Sequence, residues 1–301
     1  HCFTSQTPSV LIMTRAWRAV ADPIEEEGPM PQRFSVQDCP SAFSGSRCRI
    51  LAYGDSLTAG YHSGGDRFAP YGAALVETLA PDISADVWVC GLSGLTAMEM
   101  VEGMCDSHIN DAADRSGRGI KCILETEKAF DLVIIMAGTN DLGDTLSPDI
   151  ESIVASIRAL HEVCHGAGVR TVVLSVPPNR PASASPRYAK SWQRTNELLR
   201  EWAQGPGAAQ GVALFVDVAA LVPFGGESRE LWEHDGLHFS PLGSRRLGEG
   251  LSRRLLPLLR ATPSPHAAAG VRVMAGVWGR LAPLFALALL IALIAVFLPR
   301  R

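Results

Sequence analysis

The sequence predicts an α/β protein, with a parallel sheet covered by helices on both faces. Three observations carry that class. Five short apolar runs recur between residues 47 and 260, helical periods lie between them, and polar, glycine-containing clusters follow several of the runs. Parallel strands need crossover connections, and the crossover helices cover the sheet. Strands buried on both sides then read as continuous apolar stretches rather than as alternating ones.

The runs are 49–53 (RILAY), 86–90 (DVWVC), 131–137 (DLVIIMA), 170–176 (RTVVLSV) and 213–218 (ALFVDV). Between the first two, Phe68, Tyr71, Leu75 and Leu79 recur at helical spacing. Thr96 and Glu99 form a capping box ahead of Met100 and Val101. Ile150, Ile153, Ile157, Leu160 and Cys164 make an apolar stripe, which Ser147 and Pro148 are expected to open. Trp192, Thr195, Leu199 and Trp202 make another, and Ser240-Pro241 opens a last helix carrying Leu247, Leu251 and Leu255.

Composition excludes several classes. Of the 301 residues 47% are hydrophobic, enough to bury a core, so the chain is not broadly disordered. A net charge of −4 on a chain only 19% charged gives no basic footprint, and no nucleic-acid partner is expected. The 28 Gly and 20 Pro follow no period, which excludes collagen. Seven cysteines, an odd number over a long chain, do not make a dense disulfide framework. Cys105 with Cys122, and Cys39 with Cys48, are candidate loop-closing pairs in an oxidising compartment. Cys90 and Cys164 sit in core-like runs and are expected to be buried thiols.

Four domains of behaviour are expected. Residues 1–46 read as a poorly ordered lead-in. Their apolar stretch 10–13 is too short for a signal-peptide core, and residues 22–47 are rich in Pro, Glu, Ser and Gln. Residues 47–260 form the folded domain, and 261–280 a linker. Residues 281–298 (LAPLFALALLIALIAVFL) carry no charge and have the length of a membrane helix, so a single-pass C-terminal membrane anchor is expected. The flanking arginines 272, 280, 300 and 301 do not settle its orientation.

In parallel sheets ligands bind beyond the carboxyl ends of the strands. There the sequence places Gly54-Asp55-Ser56-Leu57-Thr58 after the first run, Gly91-Leu92-Ser93-Gly94-Leu95-Thr96 after the second, and Gly138-Thr139-Asn140-Asp141 after the third. Asp235-Gly236-Leu237-His238 precedes the last helix. A hydroxyl, an imidazole, a carboxylate and oxyanion donors thus converge on one edge. With GDSLTAGY at 54–61, Gly94, GTND at 138–141 and D-x-x-H at 235–238, residues 47–260 resemble the SGNH hydrolases, also called GDSL esterases/lipases.

That resemblance implies a three-layer α/β/α sandwich with a five-stranded parallel sheet, flavodoxin-like in plan. It also implies a serine esterase or lipase working through an acyl-serine, with no metal or organic cofactor. Ser56 would be the nucleophile, His238 its base and Asp235 the group that holds the imidazole tautomer. Backbone N–H groups of Ser56 and Gly94 and the Asn140 side chain would form the oxyanion hole. The expected partner is a small-molecule or lipid ester. A carbohydrate O-acetylesterase and a catalytically silent, membrane-tethered module of the same fold are the alternatives.

Asp55 and Asp141 are read as loop-ordering acids, and His234 as a solvated loop residue. The segment 178–195, with Arg180, Arg187, Lys190, Arg194, Tyr188 and Trp192, is the expected lid or wall of the pocket; a basic rim there would favour anionic esters, but its charges are read first as a solvated helix start. Phe224, Gly225 and Gly226 are further pocket candidates. His161-Glu162-Val163-Cys164-His165 matches the H-E-x-x-H zinc signature, but Thr171 stands where an extended zinc motif needs its third His. The pair also falls at a helix end on the edge away from the other motifs, so it is read as structural.

Overall fold

A computed structural model describes residues 30–36, 47–144 and 148–261. Its centre is a six-stranded sheet of β1 (Gln32–Ser35), β2 (Cys48–Gly54), β3 (Ala85–Gly91), β4 (Leu132–Met136), β5 (Arg170–Leu174) and β6 (Val212–Val216), in the order β1-β3-β2-β4-β5-β6. Strands β2 to β6 run parallel and coincide with the five apolar runs. The sixth strand corrects the expected sheet. β1 comes from within the supposed lead-in and pairs antiparallel with β3, Gln32 opposite Val89 and Ser35 opposite Asp86. Its four residues hold too few apolar side chains to read as a run. Ladder hydrogen bonds, Phe34 packed on the core and an Arg33–Asp86 ion pair at 2.7 Å hold it instead.

The helices are α1 (Ser56–Ala59), α2 (Tyr71–Leu79), α3 (Ala97–Glu102), α4 (Ile120–Thr126), α5 (Thr139–Asp144), α6 (Ile150–Gly166), α7 (Arg180–Ala184), α8 (Pro186–Gln204), α9 (Pro206–Gln210) and α10 (Pro241–Ala261). The pleat sends alternate residues of β2 to opposite faces. Ile50 and Ala52 meet Leu75 and Leu79 of α2 and Leu247, Leu251 and Leu255 of α10. Leu51 and Tyr53 face the other layer, where Met100, Ile120, Ile153, Ile157, Leu160 and Leu199 pack. Each such buried Leu, Ile or Met side chain contributes about 1.5–3 kcal/mol relative to exposure. α10 crosses α2 so closely that a Cβ on Gly248 would come within 2.4 Å of the Tyr71 carbonyl oxygen.

Local signals account for most boundaries. Thr96 and Glu99 form the capping box of α3, and Ser240 Oγ accepts from Gly243 N at 3.2 Å at the start of α10. The cap of α6 differs from expectation. It is Asp149, whose carboxylate accepts from Ser152 N at 3.2 Å, a stronger acceptor one residue beyond Pro148. Phe68 lies outside α2, in a short ribbon with Tyr61.

Residues 1–29, 37–46 and 145–147, and everything from 262 onward, lie outside the described residues, so Ser147, the expected linker and the 281–298 anchor do too. Among the described residues no helix is long and apolar enough to cross a membrane. The chain places β3 on one side of β2 and β4 on the other. This is the switch point where open parallel sheets form their ligand crevice, and it sits at the carboxyl ends of β2 and β4.

Candidate active site

Ser56 begins α1, directly after β2. Asp55 caps that helix, its Oδ1 accepting from Leu57 N at 2.9 Å, and Gly60 in the left-handed region (φ 73°) ends it after one turn. Ser56 is thereby held at the edge of the sheet, 6% exposed. Its Oγ lies 2.9 Å from Nε2 of His238, and His238 Nδ1 lies 2.7 Å from Oδ2 of Asp235. The other carboxylate oxygen of Asp235 accepts from Leu237 N at 2.8 Å and His238 N at 3.0 Å, so the loop wraps its own acid. Partial burial pushes the Asp235 carboxyl up. The His238 ring and these two N–H groups outweigh it and bring the carboxyl below the usual carboxylate range. Asp235 is therefore ionised at neutral pH.

Gly94 and Asn140 come from the ends of β3 and β4. Gly94 has φ +82°, and a Cβ there would sit 2.6 Å from the Ala112 Cβ, so both conformation and space require glycine. Asn140 Nδ2 donates to the Leu95 carbonyl at 2.8 Å, and a primary amide carries a second N–H. Asp141 joins the same two loops, both of its oxygens accepting from Ala97 N at 2.9 and 3.1 Å. Burial raises the carboxyl of Asp141. Burial also raises that of Asp55, to about 7, with the Leu57 N–H working against the shift and Asp141 adding to it.

Gly94, Thr139, Asn140 and Leu237 line one cavity of about 480 Å³, with Thr96, Met98 and Glu99 on one side and Asn179, Pro181 and Tyr188 on the other. Residues after β5 thus build a wall, and none of that segment's basic side chains lines the cavity. Arg180 turns away to the His234 carbonyl, and Arg194 pairs with Glu197 at 3.4 Å. The cavity is lined by one carboxylate and by no lysine or arginine. Trp192 is committed to the Val176 carbonyl at 2.8 Å, and Phe224 packs on Trp232, so neither lines it.

The sequence that builds this edge matches a known family across residues 52–246. The chain belongs to the GDSL-like lipase/acylhydrolase family. Membership makes it a hydrolase of ester bonds. Among solved structures, a protein of Agrobacterium tumefaciens str. C58, provisionally described as an arylesterase, is 25% identical, with 70% of this chain and 100% of that one covered and a TM-score of 0.54. The native aryl esterase of M. smegmatis is also 25% identical, over 70% of this chain and 100% of that one, at TM-score 0.50. A carbohydrate acetylesterase family member from Sinorhizobium meliloti, 22% identical over 70% and 99%, shares the fold at TM-score 0.53. No curated protein matches in sequence.

Elsewhere in this GDSL-like hydrolase, His161 is fully buried against Trp202, and burial lowers its imidazole to about 3. His165 turns its Nε2 to Thr171 Oγ1 at 2.9 Å. Of the candidate pairs, Cys105 and Cys122 are both free thiols, and Cys39 lies outside the described residues. The Cys90 thiol is pushed up to about 11 by burial, far from thiolate reactivity. His234 is exposed. Two neighbours of the site, Tyr61 at the end of GDSLTAGY and Arg180, had no signal in the sequence for the contact they make. Tyr61 stacks on the His238 ring, and Arg180 clasps the loop that carries it. Only the three-dimensional approach of distant loops brings them there.

Proposed function

We propose that this chain is a serine esterase that cleaves carboxylic esters through an acyl-serine intermediate. The observation that carries the reading is the continuous contact Ser56–His238–Asp235, at 2.9 and 2.7 Å. Ser56 Oγ attacks the ester carbonyl while His238 Nε2 takes its proton, and Asp235 stabilises the imidazolium that results. The carbonyl oxygen, now negative, is received by the N–H groups of Ser56 and Gly94 and the second Asn140 N–H. Collapse of the tetrahedral intermediate breaks the C–O bond, and His238 returns the proton to the leaving alcohol. A water then repeats the sequence on the acyl-serine, giving the acid and free Ser56.

The cavity beside these donors favours a short acyl group and a polar, uncharged alcohol. Thr96, Glu99, Asn179 and Tyr188 set hydrogen-bonding groups among the apolar parts of the lining. Glu99 and the lack of lining cations disfavour anionic alcohols. The likeness to the 25%-identical arylesterases supports an aryl ester as a usable substrate. A carbohydrate O-acetylesterase is the second reading, favoured by the hydrogen-bonding side chains among the lining residues. The domain is taken as 47–260 with the added strand β1, and the uncharged run 281–298 as a membrane tether, testable by detergent phase partitioning of the intact chain against a chain ending at 262.

Hydrolysis of p-nitrophenyl acetate, butyrate and octanoate, with Ser56→Ala as control, tests the function. Activity falling with chain length and lost in Ser56→Ala is expected. Preference for octanoate would refute the short-acyl reading, and full activity in Ser56→Ala would refute the nucleophile.

A further inference from the structure

We propose that Tyr61 is a positioning residue for His238, its ring face holding the imidazole and stabilising the imidazolium formed when Ser56 is deprotonated. This rests on the reading of Ser56 and His238 as nucleophile and base. The two rings lie with centroids 4.4 Å apart and planes tilted by 36°. An aromatic face carries partial negative charge and attracts a cation within about 6 Å of its centroid. The attraction is weak for neutral imidazole and grows when the ring gains its proton, so it favours the transition state over the ground state.

The stack is held from several directions. Tyr61 follows directly on Gly60, which ends α1, so the chain segment that carries Ser56 also carries the ring. Tyr61 pairs with Phe68 across a two-stranded ribbon, and Phe68 meets it edge-on at 6.0 Å. Gly65 in the ribbon's turn lies against the ring; a Cβ there would approach Tyr61 Cε2 to 2.7 Å. The turn is joined to the histidine loop: Ser63 N donates to Glu233 Oε2 at 3.3 Å, and Glu233 N donates to the His238 carbonyl at 2.9 Å. The ribbon therefore fixes both the ring and the loop against which it stacks.

Other charged and titratable groups face this arrangement. Asp235 binds His238 from its own loop, and Glu233 sits at the ribbon turn. Arg180 reaches the His234 carbonyl, and the Arg115 guanidinium lies 3.9 Å from the far ring, Phe68. Asp235 meets the imidazole at its edge, whereas Tyr61 meets its face, so the two supports are separable by mutation.

The test compares Tyr61→Leu, which keeps apolar bulk and loses the ring face, with Tyr61→Phe, which keeps the face and loses the hydroxyl. Steady-state hydrolysis of p-nitrophenyl acetate by the full chain is measured from pH 5 to 9, beside Ser56→Ala and His238→Ala. Tyr61→Leu is expected to lower kcat by about tenfold, with KM changed less than about twofold. Its acid limb should move to lower pH, because the imidazolium has lost a stabilising face. Tyr61→Phe should recover most of the loss. An unchanged kcat and acid limb in Tyr61→Leu would overturn the proposal, as would equal losses in Leu and Phe or a loss confined to KM. If Tyr61→Leu fails to fold, Tyr61→Met carries the same comparison. Substantial activity in Ser56→Ala or His238→Ala would instead overturn the nucleophile and base reading.

Discussion

Replacing Asp235 with Asn changes one atom and leaves the loop's shape in place. The amide oxygen can still accept from Leu237 N and His238 N, which now bond to Oδ1 at 2.8 and 3.0 Å. The partner of His238 Nδ1, at 2.7 Å, becomes an NH2 group that cannot accept a proton. Nδ1 then becomes the acceptor, and Nε2 holds the hydrogen and can no longer take the proton of Ser56. The charge term can also be sized. Opposite charges about 4 Å apart attract by roughly 4 kcal/mol at an effective permittivity of about 20 and by about 1 kcal/mol in bulk water. The Asp235 side chain is 46% exposed, between those limits. About 2–3 kcal/mol corresponds to a loss of about 10²-fold at 1.36 kcal/mol per tenfold. The wrong tautomer adds to this; in a fully buried triad it costs about 10⁴. We expect kcat on p-nitrophenyl acetate to fall by about 10²–10³, with KM nearly unchanged. A drop below about fivefold, or one confined to KM, would refute the assignment of Asp235 as the group that orients the base.

Asn140→Ala should lower kcat by about 10²-fold, because it removes one oxyanion donor. Its melting temperature should move by only a few degrees, which differential scanning calorimetry would check. Asp55 is raised to about 7 by burial, so its folded form prefers the proton. Its stabilising contribution is complete below about pH 4 and is lost as pH rises through about 7. Asp55→Asn keeps a capping side chain and should flatten the fall of melting temperature between pH 4 and 8 relative to the parent. An identical pH profile would contradict this. Gly248→Val forces a side chain against the Tyr71 backbone, where even a Cβ lies 2.4 Å from its oxygen. It should destabilise by about 1–3 kcal/mol or more, read from urea unfolding.

The parallel strands were legible because burial on both faces leaves an uninterrupted apolar run, as in β4, where all five residues are buried. The polar edge was legible because short motifs follow those runs directly, so Ser56, Gly94 and Asn140 could be placed at strand ends. β1 was not legible. Its pattern is half exposed, and its order comes from a partner strand about 50 residues away and from Asp86. The basic residues of 178–195 read as a solvated helix start, and sequence alone does not say where each guanidinium points. Arg180 spends its guanidinium on a loop carbonyl, and Arg194 on a neighbour one helical turn away. Tyr61 was hidden for a related reason. Nothing in GDSLTAGY says that its last residue returns to a histidine 177 positions later, since the ribbon that turns it there is fixed by Gly60, Gly65 and Phe68 together.

The most direct test of the account is covalent. A fluorophosphonate ester should label the chain once, and tandem mass spectrometry of the digested protein should locate the adduct on Ser56. Labelling should vanish in Ser56→Ala and slow by orders of magnitude in His238→Ala, because the base that activates the hydroxyl is gone. An adduct on another residue, or undiminished labelling in His238→Ala, would contradict the claim that Ser56 is the nucleophile and His238 its base.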